Sequence, residues 1–378
     1  MPQRKPRTRK TELAAGAVPA EKLAAQFPKL DLPLQAPFPP MEAKLVDAIP
    51  DLGGWQYEPK WDGFRCLAFR GGDEVVLQSK AGQPLGRYFP ELVEAVRALR
   101  PGKFVLDGEI VISLAGRLSF DDLLMRIHPA ASRIRRLAQE TPATLLAFDL
   151  LVDERGRDLT SLPLRERRQR LEDFFRALGT SKLVRLSPAT TERAQAERWM
   201  AELSAAGFDG VVAKQLDASY ESGERAMHKV KRIRTADCIV GGFRFASKGG
   251  AVGSLLLGLY GEDGLLHHVG FTSSFNNEQR QELKAILEPY RGGSGFTGRA
   301  PGGPSRWSTE RTGEWERLEP KLVCEVRYDH FSGGRFRHGT KFMRWRPEKR
   351  VESCTMEQVE PRSGQGRIED LFAAGPRT

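Results

Sequence analysis

A lysine lies between a predicted strand and a glycine-containing turn in the segment Glu58-Pro59-Lys60-Trp61-Asp62-Gly63-Phe64-Arg65. A carboxylate follows this lysine two residues later, and an arginine follows it five residues later. A lysine amine attacks phosphorus only when it is unprotonated, and nearby cations or a metal on the phosphates lower its pKa. Gly63 suits a tight turn and lets the backbone approach a nucleotide closely. The segment therefore indicates a nucleophilic lysine at a phosphate-binding site; the alternative is an ordinary surface hairpin.

The composition is that of a globular protein with room for two domains. The chain has 378 residues, of which 40% are hydrophobic and 29% charged, so each of two domains can bury a core. No apolar run is long enough to cross a bilayer, and the basic N-terminus lacks the apolar region of a secretory signal. The four cysteines are scattered, which argues against a zinc site or a disulfide scaffold and fits a reducing cytosol. We therefore expect a cytoplasmic protein without a membrane partner.

A formal net charge of +10 predicts a polyanionic partner. Nucleic acid is favoured over the alternative, a basic solvated surface with no such partner. The first residues carry five basic side chains, which would add salt-dependent affinity for phosphates.

Hydrophobic periodicity divides the chain into a mixed first part and a strand-rich second part. In the first part we expect a hairpin within 55–79, strands at 104–112, 144–152 and 211–214, and helices at 90–99, 120–139, 163–178 and 191–206. In the second part we expect short strands at 238–245, 252–260, 265–271, 322–328 and 342–345, and one helix at 277–290. Short strands with one inserted helix are typical of an oligonucleotide-binding (OB) barrel.

Several segments occur in the order that one known family has. From about residue 37 to 361, the chain resembles the covalent nucleotidyltransferases, specifically the ATP-dependent DNA ligases of the compact bacterial repair type. The resemblance implies an α+β fold, with a nucleotidyltransferase (adenylation) domain of antiparallel sheets flanked by helices, followed by an OB-fold β-barrel domain. The expected boundaries are a disordered basic arm at 1–30, the nucleotidyltransferase domain at 31–235, the OB domain at 236–361 and a flexible tail at 362–378.

The resemblance assigns a role to each residue of the first motifs. Lys60 would attack the α-phosphate of ATP, expel pyrophosphate and become lysyl-AMP. Glu58 matches the position that reads the adenine amino group, and Arg65 matches the position that contacts the ribose or the DNA phosphate. Phe148 corresponds to the aromatic residue that stacks on adenine. Glu109, in Asp107-Gly108-Glu109, would contact the ribose or a metal.

Further cations and a second carboxylate follow in the same family order. Ser79-Lys80-Ala81-Gly82 aligns with a segment that usually reads Ser-Arg-Asn-Gly, so Lys80 would contact the nucleotide. Asp209, where glutamate is usual, is expected to bind metal. Lys214 should face the nucleotide phosphates, and the paired lysines Lys229 and Lys231 should hold the α-phosphate.

The last motif lies on the barrel domain. Arg344-Trp345-Arg346-Pro347-Glu348-Lys349 is similar to a segment in which Arg346 and Lys349 would orient the leaving pyrophosphate. The resemblance further implies that the barrel turns away after the first step to grip duplex DNA, with a hinge at 232–235.

The resemblance also implies the cofactors and partners. The cofactors are ATP and Mg²⁺, with Mn²⁺ as an alternative metal, because one or two carboxylates beside phosphates suit Mg²⁺. The implied reaction seals a 5′-phosphate/3′-hydroxyl nick in double-stranded DNA, in DNA repair. We expect a monomer in the cytoplasm, associated with the nucleoid. Binding should be independent of base sequence and weakened by salt.

The C-terminal segment Gln365-Gly366-Arg367-Ile368-Glu369-Asp370-Leu371-Phe372 suggests one more partner. Its acidic, aliphatic and aromatic run resembles a sliding-clamp peptide, so a sliding clamp or another repair protein would bind it. The alternative is a flexible tail that happens to contain a few apolar residues.

Three other functions remain as alternatives. RNA ligases and mRNA-capping guanylyltransferases share the lysine motif, whereas Glu58 and the 344–349 segment favour adenylation and a DNA end. The third is a DNA-binding protein without catalytic activity, for which Lys60 would be dispensable.

Overall fold

The computed structural model describes residues 20–179, 181–202, 208–246, 250–302, 314–360 and 368–373. The chain forms two units, of which the first combines Met1–Val230 with Arg367–Thr378 and the second is Lys231–Gly366. The expected basic arm lies outside the described residues up to residue 19. Its remainder is not disordered, because a short helix follows and Leu30 is buried in the core.

The described residues up to Val230 of the first unit contain eleven strands and six helices, and the last of these strands extends one residue into the second unit. The strands are β1 (Ala43–Leu45), β2 (Trp55–Pro59), β3 (Phe64–Gly71), β4 (Glu74–Ser79), β5 (Lys103–Val111), β6 (Ser113–Leu114), β7 (Arg117–Leu118), β8 (Thr144–Val152), β9 (Val184–Leu186), β10 (Gly210–Gln215) and β11 (Met227–Lys231). The helices are α1 (Ala20–Ala24), α2 (Pro90–Arg97), α3 (Phe120–Met125), α4 (Ala131–Glu140), α5 (Leu164–Leu178) and α6 (Arg193–Glu202).

This unit has two main sheets, besides the two-stranded sheet of β6 and β7. The larger has the order β4-β3-β5-β8-β9 and is antiparallel except at β9, and the smaller has the order β1-β11-β10-β2. Side chains alternate across the larger sheet: Cys66 and Ala68 join the core under α2 and α5, whereas Leu67 and Phe69 join a second core on the opposite face. Burial on both faces explains why β3 and β8 are almost continuously apolar.

The predicted helix at 120–139 is wrong in one respect. It is two helices, α3 and α4, separated by a segment that contains Pro129. Proline has no backbone N–H and disfavours helix geometry in the residue before it, so a single helix is interrupted there.

The second unit is a closed barrel. Its strands are β12 (Arg234–Phe245), β13 (Val252–Tyr260), β14 (Leu266–Thr272), β15 (Glu316–Arg317), β16 (Val323–Tyr328), β17 (Phe331–Ser332), β18 (Arg335–Phe336) and β19 (Lys341–Trp345), and its helix is α7 (Asn277–Leu287). The sheet order is β14-β13-β12-β16-β19. A bridge between Thr272 and Thr340 joins the two ends, where the Thr340 amide donates to Phe271 O at 3.0 Å.

This strand order, with α7 between the third and fourth barrel strands, confirms the predicted OB fold. The α+β fold class is confirmed as well. The division between the units falls after Val230, a few residues before the boundary expected at 235.

The C-terminal segment differs from the flexible tail expected at 362–378. Residues 361–367 and 374–378 lie outside the described residues, but Ile368–Ala373 form helix α8, which belongs to the first unit. Ile368 and Leu371 are buried there. No helix among the described residues is long and apolar enough to cross a membrane.

Candidate active site

Lys60 lies directly after β2, where strand pairing places it beside the start of β10. Its backbone N–H donates to Gly210 O at 2.9 Å, and its Nζ donates to Asp209 Oδ2 at 2.6 Å. Burial lowers the pKa of Lys60, but the carboxylates of Asp209, Glu109 and Asp62, with Asp209 contributing most, together outweigh burial, and the pKa is raised overall. The amine is therefore held as an ammonium ion and must lose a proton before it can act as a nucleophile.

Close packing against β5 explains why residue 63, in the turn after Lys60, is a glycine. A Cβ atom there would lie 2.2 Å from Ile110 O and 2.8 Å from the Glu109 side chain. The close approach that this glycine permits is therefore to β5, which brings the turn against the strand that carries Glu109.

A buried ion pair between Glu58 and Lys214 lies next to Phe148, the predicted adenine-stacking residue. Lys214 Nζ is 2.8 Å from Glu58 Oε2, and both side chains are 3% exposed. Gln56 donates to the other Glu58 oxygen at 2.7 Å, and Lys214 Nζ lies 4.4 Å from the centre of the Phe148 ring. Lys214 Nζ has no hydrogen-bond acceptor with good geometry among the described residues. Glu58 and Lys214, predicted to contact base and phosphate, are thus paired with each other in this structure.

A second network fixes Arg65 on β3. Its Nε and Nη2 donate to the two Asp107 carboxylate oxygens, each at 2.6 Å. The Tyr220 hydroxyl also donates to Asp107, at 2.6 Å, and accepts from the Met41 amide at 3.0 Å. The guanidinium lies 4.6 Å from the centre of the Phe148 ring. Two parallel charge-assisted bonds hold Arg65 in one orientation.

Glu109 occupies β5 directly opposite Arg65 in the antiparallel register. Burial raises the pKa of its carboxyl to about 7, although Arg65 and Lys60 act in the opposite direction. This carboxyl therefore changes its charge near neutral pH. It is suited to binding a cation or a ribose hydroxyl once a ligand is present.

These groups surround a cavity of about 190 Å³ that lies wholly in the first unit. Its lining includes eight of the residues predicted for the nucleotide, namely Glu58, Lys60, Arg65, Lys80, Glu109, Phe148, Lys214 and Lys229. Lys80 is at its exposed edge, where its Nζ is 3.0 Å from Glu42 Oε2. The Lys80 ammonium lowers the pKa of Glu42. The lining of the cavity thus combines an aromatic ring, the Lys60 side chain and several other cations.

The other three predicted cations belong to the second unit. Lys231 is paired with Asp329 at 3.0 Å. Arg346 Nη1 lies 2.8 Å from Asp237 Oδ1, and Lys349 Nζ lies 3.2 Å from Asp237 Oδ2. Asp237 therefore holds Arg346 and Lys349 together on the barrel.

The sequence motifs include Asp107 but assign it no role, and they do not indicate that Tyr220 belongs to the site. Asp107 is two residues before Glu109 on β5, so strand periodicity places both on one face, beside Arg65. The two-residue spacing between Asp107 and Glu109 would therefore have predicted that Asp107 belongs to the site. The Tyr220 contact spans 113 residues of sequence, and no local pattern indicates it.

A lysine paired with a carboxylate, beside a cavity lined by an aromatic ring and several cations, is the arrangement expected of a covalent nucleotidyltransferase. The family model described as "ATP dependent DNA ligase domain" matches residues 40–231, and the model described as "ATP dependent DNA ligase C terminal region" matches residues 248–349. The chain belongs to the ATP-dependent DNA ligase family.

Curated relatives agree with this assignment. The chain is 46% identical over 341 residues to DNA ligase C1 of Mycolicibacterium smegmatis, and 44% identical over 348 residues to DNA ligase C of Mycobacterium tuberculosis. Each alignment covers 88% of this chain and 96% of the relative. Among solved structures, a Lig E DNA ligase superposes with a TM-score of 0.50 at 18% identity, covering 82% of this chain and 99% of the other, which supports the fold alone. The predicted compact bacterial ligase is confirmed.

Proposed function

We propose that this protein seals 5′-phosphate/3′-hydroxyl nicks in duplex DNA, with Lys60 as the residue that carries AMP. The observation that supports it most directly is that Lys60 lines the cavity together with Glu58, Phe148 and Lys214. In the first step the Lys60 nitrogen bonds to the α-phosphorus of ATP while the bond to the bridging oxygen breaks and pyrophosphate leaves. Asp209 Oδ2, in contact with Lys60 Nζ, is the acceptor for the proton that the amine must lose.

The cavity residues divide the recognition of ATP between them. Phe148 offers a ring for adenine to stack on, with Glu58 near it to accept from the adenine amino group. Lys80, Lys214 and Lys229 offer positive charge to the phosphates, and Arg65 is held ready for the ribose or a DNA phosphate. These fixed cations stabilise the charge that moves onto pyrophosphate as the bond breaks.

We further propose that Mg²⁺ is the metal, held by Glu109 and Asp209. Hard carboxylate oxygens next to phosphate-binding cations form the donor set that Mg²⁺ prefers, and Mn²⁺ accepts the same ligands. A bound divalent ion would neutralise phosphate charge and lower the pKa of the amine. The raised pKa of Glu109 fits this role, because a carboxyl without a cation in a desolvated site keeps its proton more easily.

The later steps follow from the chemistry of the AMP that Lys60 carries. The 5′-phosphate of the nick takes AMP from Lys60, and the adjacent 3′-hydroxyl then displaces AMP and closes the strand. We assign Lys231, Arg346 and Lys349 to phosphate contacts, with the last two acting on the leaving pyrophosphate. A positively charged chain of +10 holds the duplex mainly through its backbone.

The biological setting is also part of the proposal. A chain 30% identical to this one over 310 residues is the multifunctional non-homologous end joining protein LigD of Mycobacterium bovis, and this chain covers 37% of it. We infer a repair ligase that acts as a monomer in the cytoplasm, at the nucleoid. A sliding clamp remains a predicted partner, and a pull-down that compares the full chain with one ending at Ser363 tests it.

Covalent labelling tests the central claim. The protein is incubated with α-labelled ATP and Mg²⁺ and run on a denaturing gel, beside Lys60→Ala and a GTP control. Lys29→Ala is the matched control, because that lysine is exposed in the same unit and does not line the cavity. We expect label on the wild type and on Lys29→Ala, and none on Lys60→Ala or with GTP. Wild-type protein that stays unlabelled after pyrophosphate treatment to remove pre-bound AMP would refute the proposal.

Nick sealing then separates the remaining alternatives. Nicked DNA should be sealed and nicked RNA should not, whereas an RNA ligase gives the opposite result. Labelling by GTP would indicate a guanylyltransferase. Lys60→Ala should keep its affinity for nicked duplex within about twofold, and that affinity should fall steeply with salt. An affinity that is unchanged between low and high salt would contradict the proposed mode of DNA binding.

A further inference from the structure

Helix α8 is anchored to the first unit by backbone and by apolar contacts. The Ile368 amide donates to Gly116 O at 2.9 Å, in the turn between β6 and β7. Ile368 and Leu371 are only 4% and 5% exposed. They share a core with residues from several separate parts of the chain, namely Trp61, Val111, Leu146, Trp199 and Phe208.

One residue of that core adjoins the nucleophile. Trp61 directly follows Lys60, and its ring lies nearly parallel to Phe372, with an interplanar angle of 9° and centroids 6.1 Å apart. The Arg185 guanidinium lies 3.5 Å from the centre of the Phe372 ring. Phe372 is therefore placed between a tryptophan and an arginine, which is a favourable environment for an aromatic ring.

Trp61 is held by two further contacts inside the unit. Its indole N–H donates to Ser187 Oγ at 2.8 Å, and its ring centroid is 5.0 Å from that of Phe208. β2 ends at Pro59, and Lys60 leads from this strand into the following turn. Its amide donates to Gly210 O at 2.9 Å and its carbonyl accepts a longer bond from the Asp209 amide at 3.4 Å, while the anchored Trp61 ring fixes the residue that follows it.

We propose that α8 is a positioning element for the nucleotidyl-lysine: Phe372 presses on Trp61 and so holds Lys60 where its amine meets the α-phosphate. This inference rests on the proposed function and goes beyond it, because it assigns a catalytic effect to a helix 300 residues away in sequence that lines no part of the cavity. It also gives the clamp-like segment an intramolecular partner. Ile368, Leu371 and Phe372 are the apolar residues of that motif, and in this structure they contact the chain itself.

The expected effect is on the rate of the chemical step and not on ATP binding. No residue of α8 lines the cavity, and Trp61, which does line it, keeps its contacts to Ser187 and Phe208 without Phe372, so the ATP concentration for half-maximal labelling should change by less than about twofold. A small displacement of a nucleophile costs on the order of tenfold to a hundredfold in rate. We therefore expect Phe372→Ala to slow single-turnover labelling of Lys60 by about tenfold.

The test measures the labelling rate and its ATP dependence in a set of full-length variants. Phe372→Tyr keeps the stacked ring and should restore the rate to within about twofold of the wild type. Leu52→Ala removes an exposed apolar side chain from the same unit and serves as the matched control. A chain that ends at Ala373 keeps every α8 contact described here, and a chain that ends at Glu360 removes them all. Melting temperatures show whether each variant is folded at the assay temperature.

The outcomes separate the two proposals. The positioning role is supported if Phe372→Ala and the chain ending at Glu360 both label slowly at an unchanged ATP concentration for half-maximal labelling. Phe372→Tyr should then label at nearly the wild-type rate. Wild-type labelling rates in both of these variants would overturn the positioning role without affecting the proposal that Lys60 carries AMP. A changed half-saturation with an unchanged maximal rate would also overturn it, because α8 would then act on ATP binding. Wild-type protein that stays unlabelled after pyrophosphate treatment refutes the proposed function itself, and the positioning role with it.

Discussion

Glu109→Gln should stabilise the protein in a strongly pH-dependent way. The folded state holds the pKa of Glu109 at about 7, above its ordinary value of 4.5, because of burial. An acid whose pKa is raised on folding binds its proton more tightly in the folded state. Between these two values the unfolded chain loses the proton and the folded chain keeps it, so stability falls as the pH rises through that window and is constant above it.

The size of the effect follows from the same two values. A displacement of about 2.5 pKa units corresponds to roughly 3 kcal/mol at pH 8 and to about 1 kcal/mol at pH 5, with 1.36 kcal/mol per unit. Glutamine has nearly the same shape and carries no charge. The free energy of unfolding of Glu109→Gln, relative to that of the wild type, should therefore increase by about 2 kcal/mol between pH 5 and pH 8.

Urea unfolding of the nucleotide-free wild type and Glu109→Gln at several pH values measures this difference. Equal slopes against urea concentration at each pH would show that the same surface is exposed in both proteins. The variant should also lose most of its labelling activity if Glu109 binds metal or ribose. A stability difference that does not depend on pH, or a variant less stable than the wild type at pH 8, would refute the reasoning about burial of this carboxyl.

Three further substitutions test other parts of the site. Asp209→Asn removes the carboxylate that raises the pKa of Lys60, so the pH–rate profile of any remaining labelling should move to lower pH; a profile that stays in place would contradict the pairing. Phe148→Leu should raise the ATP concentration for half-maximal labelling by roughly tenfold, because base stacking on an aromatic ring contributes about 1–3 kcal/mol; an unchanged value would exclude stacking there. Arg65→Lys keeps the charge but loses the two parallel bonds to Asp107, and urea unfolding should show a loss of about 2 kcal/mol. Equal stability of this variant and the wild type would contradict the importance of the paired bonds.

Local signals in the sequence were sufficient to predict the architecture. The apolar run that forms β8 is contiguous in sequence, and the strand expected there is confirmed. The segment around Lys60 is contiguous as well, and the nucleotidyl-lysine that it indicates stays a prediction. The OB fold was predictable because its five main strands and one helix follow each other in a fixed order.

Side-chain pairing across the sheets was not predictable in the same way. The Glu58–Lys214 pair joins residues on adjacent strands that are far apart in sequence, and both were assigned to the ligand instead of to each other. The Tyr220–Asp107 bond has the same origin. Such pairs depend on strand register, which a single sequence does not specify for distant strands.

Helix α8 was missed for a related reason. Six residues are too few to form a stable helix alone, so the stability of α8 comes from packing on a surface that sequence reasoning could not place beside it. The same apolar residues were therefore interpreted as a binding motif for another protein.

The position of α8 in the chain has a consequence for biosynthesis. Trp61 leaves the ribosome roughly 300 residues before Phe372, which at about 5–20 residues per second is a delay of some 15–60 s. During that time the nascent protein contains Lys60 and most of the cavity, but its tryptophan lacks the covering helix. Chains that terminate before α8 would carry the same defect, so the active-site support is completed only after the whole second unit has been synthesised.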